Sequence, residues 1–249
     1  MRHDAILPAP AQRAARLNAE TDGLSTRDLL ERVLDGAAGR AALVSSFGAE
    51  AVVLLHMAAR IDPSVPVLFV ETGMLFPETL AYQREVAERL GLSDLRLIRP
   101  APDALGQADP DGTLHGRDAD ACCALRKTEP LTRALAPFDA WITGRKRFQG
   151  AGRAHLERVE AEAGTGRIKV NPLARWSRED VRAYMEAHAL PRHPLVARGY
   201  ASIGCAPCTS PVAPGEDPRA GRWRGLGKEE CGIHFVDGVA VRGAQRRAS

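Results

Sequence analysis

The 249-residue chain has no run approaching the roughly 18 consecutive apolar residues that a membrane-spanning helix needs. Its opening residues, with Asp4, Pro8, Pro10 and scattered charges, lack the apolar core of a secretion signal. A cytoplasmic location without a membrane partner is expected. Net charge is scarce as well: 34 Lys and Arg against 31 Asp and Glu leave only +3. Sequence-independent grip on nucleic acid needs a broader positive face than that, so no nucleic-acid partner is expected. No internal repeat is visible. Cysteines are few and odd in number, five in all, which fits a disulfide scaffold poorly. What the chain does have is apolar content, 45% of residues, enough for one substantial core or a large domain with an appendage.

Two short helical segments, Ala9–Asn18 and Ser25–Leu34, are expected first, with Ser25 as a cap whose oxygen accepts a free helical amide. An alternation then begins. Apolar runs at Ala41–Ser46, Val65–Val70, Leu95–Ile98 and Phe138–Thr143 read as strands. Helical stretches Ala49–Ala59 and Pro77–Leu90 follow the first two, and Pro77 suits a first helical turn. The pattern predicts an α/β fold, a parallel sheet with helices on both faces. Ligands in such sheets sit beyond the carboxyl ends of the strands. Three of those ends carry small hydroxyl and glycine residues here: Ser45-Ser46, Thr72-Gly73 and Thr143-Gly144. Further on, Ile168–Leu173 reads as another strand and Ser177–Ala189 as an amphipathic helix capped by Ser177. The expected organisation is an N-terminal helical segment (1–38), an α/β nucleotide-binding region (39–190) and a loop-rich C-terminal arm (191–249), forming one structural domain.

Cys205-Ala206-Pro207-Cys208 forms a turn that aims two thiolates at one centre, and Cys122-Cys123 offers a second pair. Together they make a candidate four-thiolate site for zinc or an iron–sulfur cluster. Adjacent cysteines fit the separate irons of a 4Fe–4S cube better than one tetrahedral ion; a redox dithiol at Cys205 and Cys208 is the other reading. If four cysteines hold metal, only Cys231 is left, a candidate nucleophile on a flexible approach rich in Gly, Pro and Arg. Its neighbours Glu229 and Glu230 would raise its pKa, so His234, Arg219 and Arg222 are expected to offset them. Basic residues gather at Arg126-Lys127, Arg145-Lys146-Arg147, Arg153 and Arg219, Arg222 and Arg224. As a set they suit an anion with more than one phosphate-like group.

These blocks resemble the adenylyl-sulfate and phosphoadenylyl-sulfate reductases of assimilatory sulfate reduction. The resemblance rests on Ser45-Ser46-Phe47-Gly48-Ala49-Glu50, Glu71-Thr72-Gly73, Cys122–Lys127, Trp141–Gly144, Gly199–Thr209, and Arg219-Ala220-Gly221-Arg222-Trp223 leading to Glu230–His234. It implies an adenine nucleotide alpha hydrolase-like fold, related to the ATP pyrophosphatases. It implies that Cys231 attacks the sulfur of adenylyl sulfate and carries a Cys-S-sulfonate. A thioredoxin or glutaredoxin would then release sulfite, since no uncommitted internal thiol remains. It also implies one 4Fe–4S cluster on Cys122, Cys123, Cys205 and Cys208, with no nicotinamide and no flavin. Lys127, Arg219, Arg222 and His234 match the family's residues around sulfate and phosphate, and Arg153 its arginine-loop contact. Ser45, Ser46, Gly48, Thr72 and Gly73 match the nucleotide-binding strand ends, and Gly144 and Arg145 complete the expected substrate contacts. The four cysteines point to adenylyl sulfate over its 3′-phosphorylated form. Two departures stand out: Glu71 replaces a common aspartate, and Arg145–Gly150 (RKRFQG) replaces the usual Gln-Arg-Arg-Asp-Gln-Ser. An ATP-dependent tRNA thiolase is disfavoured, because Ser45–Ala51 lacks the aspartate and second glycine of a pyrophosphate loop. A zinc-stapled nucleic-acid module would draw on the cysteines and the basic tail Arg242–Arg247. A homo-oligomer is compatible with the sequence but not specified by it.

Overall fold

The computed structural model describes residues 9–162, 164–226 and 228, together with the backbone of two short strands, β7 (Phe235–Val236) and β8 (Val239–Ala240), which pair antiparallel. Cys231 and His234 lie outside the described residues. A six-stranded sheet runs in the order β3-β2-β1-β4-β6-β5, built from β1 (Ala41–Ser45), β2 (Val67–Val70), β3 (Leu95–Ile98), β4 (Ala140–Thr143), β5 (Val159–Ala161) and β6 (Ile168–Val170). All neighbours are parallel except β5, which runs antiparallel to β6 at one edge. The expectation of a parallel sheet therefore holds for five strands and misses one.

Two apolar layers sandwich the sheet, and strand alternation sorts residues between them. Val67 and Phe69 of β2, Leu43 of β1 and Ile142 of β4 face the larger core. This core packs against α1 (Pro10–Thr21), α2 (Thr26–Arg32), α3 (Ala51–Ala59), α4 (Pro77–Leu90) and α9 (Arg178–Ala187). Leu68, Val70, Ala42 and Trp141 face a smaller one with Leu131 and Leu135 of α8 (Glu129–Leu135). Between β3 and α8 the chain forms α5 (Pro102–Ala108), α6 (Leu114–Arg117) and α7 (Ala119–Cys123). The N-terminal segment is fastened to the sheet: Asn18 of α1 donates to and accepts from the Val159 backbone, and Arg13 donates to the Asp139 carbonyl.

Several boundaries shift for identifiable reasons. The second predicted helix closes in a widened turn at Val33–Ala37, where Gly36 takes φ 94°, a conformation that favours glycine. The predicted strand 168–173 stops at Val170, because the buried Asn171 turns its amide to side-chain and backbone partners. The arm, expected to approach Cys231 flexibly, is packed as far as Trp223. Ser210 N–H donates to Gly221 O at 2.8 Å, Trp223 N–H to Cys208 O at 3.0 Å, and Trp223 is buried.

Candidate active site

A cavity of about 270 Å³ opens beyond the carboxyl ends of β1, β2 and β4. Ser45, Ser46, Gly48, Thr72, Gly144, Arg145, Arg153, Lys127, Arg219 and Arg222 all line it. The sequence-predicted strand ends and five of the predicted cations thus meet in one place, drawn from both the sheet and the arm. Gly73 does not line it; its N–H is taken by the Glu71 carboxylate at 2.7 Å. Arg126, Arg147 and Arg224 are turned elsewhere. Arg126 forms a buried pair with Asp109 at 2.6 Å and donates to Thr72 O at 2.9 Å. Arg147 meets Glu157 at 3.6 Å and Arg224 meets Glu216 at 2.7 Å.

The loop after β1 is held from beneath. Phe47 stands at φ 47°, unusual for a non-glycine residue, with its ring buried edge-on against Phe69 at 5.1 Å. Its N–H donates to Ser45 Oγ at 3.1 Å. Gly48 lets the arm come close: a Cβ there would lie 3.3 Å from the Ile203 carbonyl. Glu50 then precedes the first turn of α3, whose end opens onto the cavity.

Around the cysteines, the helix that starts as α7 continues into α8 through a π-turn at Ala124–Thr128. Pro130 has no N–H for the Arg126 carbonyl four residues back, and the widened turn lies directly before it. Widened turns of this kind recur at functional sites. Cys122, Cys123 and Lys127 are all buried along this stretch. Opposite, Cys205 and Cys208 flank a single 3₁₀ turn, Ala206–Cys208, and pack against Trp223. Thr72 Oγ1 lies 3.3 Å from Cys205 Sγ, tying this turn to the end of β2. Burial pushes the Cys122 and Cys208 thiols up, and neighbouring Cys205 acts in the same sense on both. Arg126 counters at Cys122, and Lys127 and Arg222 at Cys208. Four buried thiols from two elements, with cations beside them, are a donor set that fits a thiolate-bound cluster. Among the described residues, no three His, Cys, Asp or Glu side chains converge as they would on one ion.

The cations lining the cavity differ in how they are held. Arg222 packs its guanidinium on Gly204, where any Cβ would collide with it, and over the Trp223 ring at 4.4 Å. Trp223, like Phe47, holds a positive φ of 47° to reach this position. Arg222 Nε is buried without a hydrogen-bond partner. A buried guanidinium N–H left unpaired is costly, and it suits an anionic group arriving in the cavity. Arg145, in contrast, donates to Glu160 Oε2 at 2.5 Å and to Asn171 Oδ1 at 3.1 Å. Lys146, only 2% exposed, donates to Glu50 Oε2 at 2.8 Å and to Gly144 O at 3.1 Å. Burial draws its ammonium pKa down, and Glu50 pulls it back up. Gln149 completes this wall, accepting from Arg153 at 2.6 Å and donating to Glu50 at 3.3 Å. Sequence reasoning placed Lys146 among the basic residues suited to an anion but did not single out Glu50, Gln149 or Arg178 as cavity-lining groups. For Lys146 and Gln149 the signal was present in the altered Arg145–Gly150 block. Glu50 stood in the Ser45–Glu50 block, but nothing in the sequence joined it to Lys146, 96 residues away.

A mostly parallel sheet with its ligand cavity at the strand ends, covered by a cysteine-bearing arm, defines an α/β protein of the adenine nucleotide alpha hydrolase-like class. The chain belongs to the phosphoadenosine phosphosulfate reductase domain family, whose model matches residues 40–211. It is 51% identical over 226 residues to the adenosine 5′-phosphosulfate reductase of Mesorhizobium japonicum, covering 90% of this chain and 88% of that protein. It is 46% identical to the phosphoadenosine 5′-phosphosulfate reductase of Gloeobacter violaceus, covering 77% and 81% of the two chains. Among solved structures, the phosphoadenylyl-sulfate reductase of Candida auris, crystallised as a phosphate complex, superposes with a TM-score of 0.70 at 27% identity. That match covers 84% of this chain and 100% of the other. The FMN adenylyltransferase of Candida glabrata shares the fold at 14% identity and a TM-score of 0.54, covering 81% of this chain and 74% of that one.

Proposed function

We propose that this chain reduces adenylyl sulfate to sulfite and AMP in assimilatory sulfate reduction, with Cys231 as the nucleophile. The Cys231 thiolate attacks the sulfate sulfur, the sulfur–oxygen bond to the phosphate breaks, and AMP leaves with the electron pair. The product is a Cys231 S-sulfonate. An external dithiol protein of thioredoxin or glutaredoxin type then attacks Cys231 Sγ and releases sulfite. Its second thiol resolves the mixed disulfide, supplying two electrons in all.

Arg222 carries this reading. Its Nε is buried without a partner, and its side chain lines the cavity together with Lys127 and Arg219, a set of cations suited to sulfate and α-phosphate. These cations stabilise negative charge on the departing phosphate without any proton transfer. His234 is assigned to the same group from the motif that follows Cys231. Ser45, Ser46, Gly48, Thr72 and Gly144 supply the cradle for the nucleotide at the strand ends, with Arg145 and Arg153 along its wall. Cys122, Cys123, Cys205 and Cys208 would hold a 4Fe–4S cluster, which when bound supplies a rigid, charged anchor beside Lys127. A reducing cytoplasm suits such a set of thiols.

Sulfite release from adenylyl sulfate and from its 3′-phosphorylated form, measured at equal low concentration with thioredoxin present, tests this reading. Faster turnover of adenylyl sulfate is expected. A large advantage for the phosphorylated form would reassign the substrate, and turnover of neither would remove the reductase reading.

A further inference from the structure

Beyond Arg222 the chain turns back on itself. Trp223 at φ 47° and Gly225 at φ 79° make the turn, and Leu226 N–H closes it on the Trp223 carbonyl at 2.8 Å. The chain then returns Lys228 to the Trp223 indole, with Nζ 5.8 Å from the ring centroid. Only 8% of the Lys228 side chain is exposed, and its ammonium pairs with the Asp120 carboxylate of α7. A fully exposed ion pair holds little, but an ammonium withdrawn this far from water depends on its partner. The Asp120 carboxylate is not what caps the helix. Asp118 does that, accepting from the Asp120 and Ala121 N–H groups. Lys228 does not line the cavity, whereas Arg222, which lies over the same indole, does. Gripping the substrate is thus left to Arg222, and what Lys228 fixes is the chain.

We propose that Lys228 is a positioning residue for the Cys231 nucleophile: its ion pair with Asp120, made beside Trp223, anchors the arm three residues before the thiol. The inference rests on the reading of Cys231 as the nucleophile and deepens it. Three residues of chain reach at most about 11 Å, so an anchor at Lys228 confines the thiol to a small volume near Trp223 and Arg222, both of which line the cavity. Attack on sulfur gains from that confinement, because a reactant held in place reacts far faster than one on a free arm. The anchor stands on α7, two residues before Cys122, so the helix that carries one cysteine pair also holds the nucleophile's segment.

Single-turnover formation of the Cys231 sulfonate, with saturating adenylyl sulfate and no reductant, is compared in the unaltered full-length protein, Lys228→Met, Asp120→Asn and the double variant. Each single variant is expected to slow the step by about tenfold, and the double variant no further than the slower single. Lys228→Arg, which keeps the charge, is expected to retain most of the rate. Calorimetric AMP affinity and iron per chain are expected to stay unchanged, since neither side chain lines the cavity and neither is a thiol. Iodoacetamide labelling of Cys231, read by peptide mass spectrometry, reports on the anchor without any substrate. It is expected to be several-fold faster in either single variant. Single variants that react and label like the unaltered protein overturn the proposal. Losses that add in the double variant, or that follow a loss of iron or of AMP binding, overturn it as well. Should the unaltered protein form no sulfonate, the nucleophile reading falls, and labelling still decides the anchor: equal rates in all variants remove it too.

Discussion

On the β4 side of the cavity every cation of the Arg145–Arg147 triplet meets a glutamate, whereas on the arm side Arg222 holds a buried Nε–H without a hydrogen-bond partner. Both walls are rich in basic residues, and by sequence they look alike. The β4 side is a finished structural network, with Asn171 as a hub that accepts from Thr143 and Arg145 and donates to Glu160. The arm side is arranged for something that is not part of the chain. Basic residues near a pocket are therefore informative only after their partners are counted.

That contrast can be broken or sharpened by mutation, beginning with the largest effect. Cys231→Ser is expected to abolish sulfite release while leaving iron content unchanged; iron analysis and a sulfite assay on the same preparation check both. Next, Arg222→Met is expected to lower kcat/KM by about two to three orders of magnitude, as removal of an oxyanion-stabilising donor does. It should lower thermal stability little, because the buried Nε–H it removes has no hydrogen-bond partner and the methionine side chain can still pack on the Trp223 ring. Asp109→Ala should do the opposite, costing about 3–5 kcal/mol in denaturant unfolding, because it strands the buried Arg126 guanidinium. Arg145→Met belongs to the same class on a smaller scale, about 1–2 kcal/mol for a partly exposed pair, leaving Glu160 without its cation.

A pH dependence should appear where the arm leaves α9. His193 is buried, its Nε2 3.0 Å from Thr79 Oγ1 and its Nδ1 accepting from Leu195 N–H at 3.2 Å. Burial lowers its pKa to about 4. The unfolded chain, with an ordinary histidine near 6.5, binds a proton first as pH falls. Stability from this group is therefore present above about 6.5 and is lost progressively as pH drops toward 4. Denaturation midpoints between pH 7 and 4 measure the slope, and His193→Gln, which has no proton to take up in this range, should flatten it.

Much of the fold was legible because local signals agreed. Helix α4 matches its predicted span, Pro77–Leu90, since Pro77 starts it and Gly91, in a left-handed conformation, ends it. Strand β3 matches because its apolar run is bounded by Asp94 and Pro100. Strand β5 was not legible: three residues in a charged segment, Val159–Ala161, are held by pairing with β6. In the site, the strand ends and the cysteine pairs showed themselves through spacing. The carboxylates that neutralise the β4 wall did not, because Glu50 lies in another element and pairs only through the tertiary fold. Nor did the docking of the arm, which depends on close approaches at Gly48 and Gly204.

The central claim is that a sulfonate passes from adenylyl sulfate to one thiol. Mass spectrometry of the protein mixed with adenylyl sulfate in the absence of any reductant tests it most directly. A single sulfonate on the Cys231 peptide, discharged on adding thioredoxin, is the predicted result. An unmodified Cys231 in protein that releases AMP and then, once thioredoxin is added, sulfite, or a sulfonate carried on Cys205 or Cys208 instead, would contradict the account.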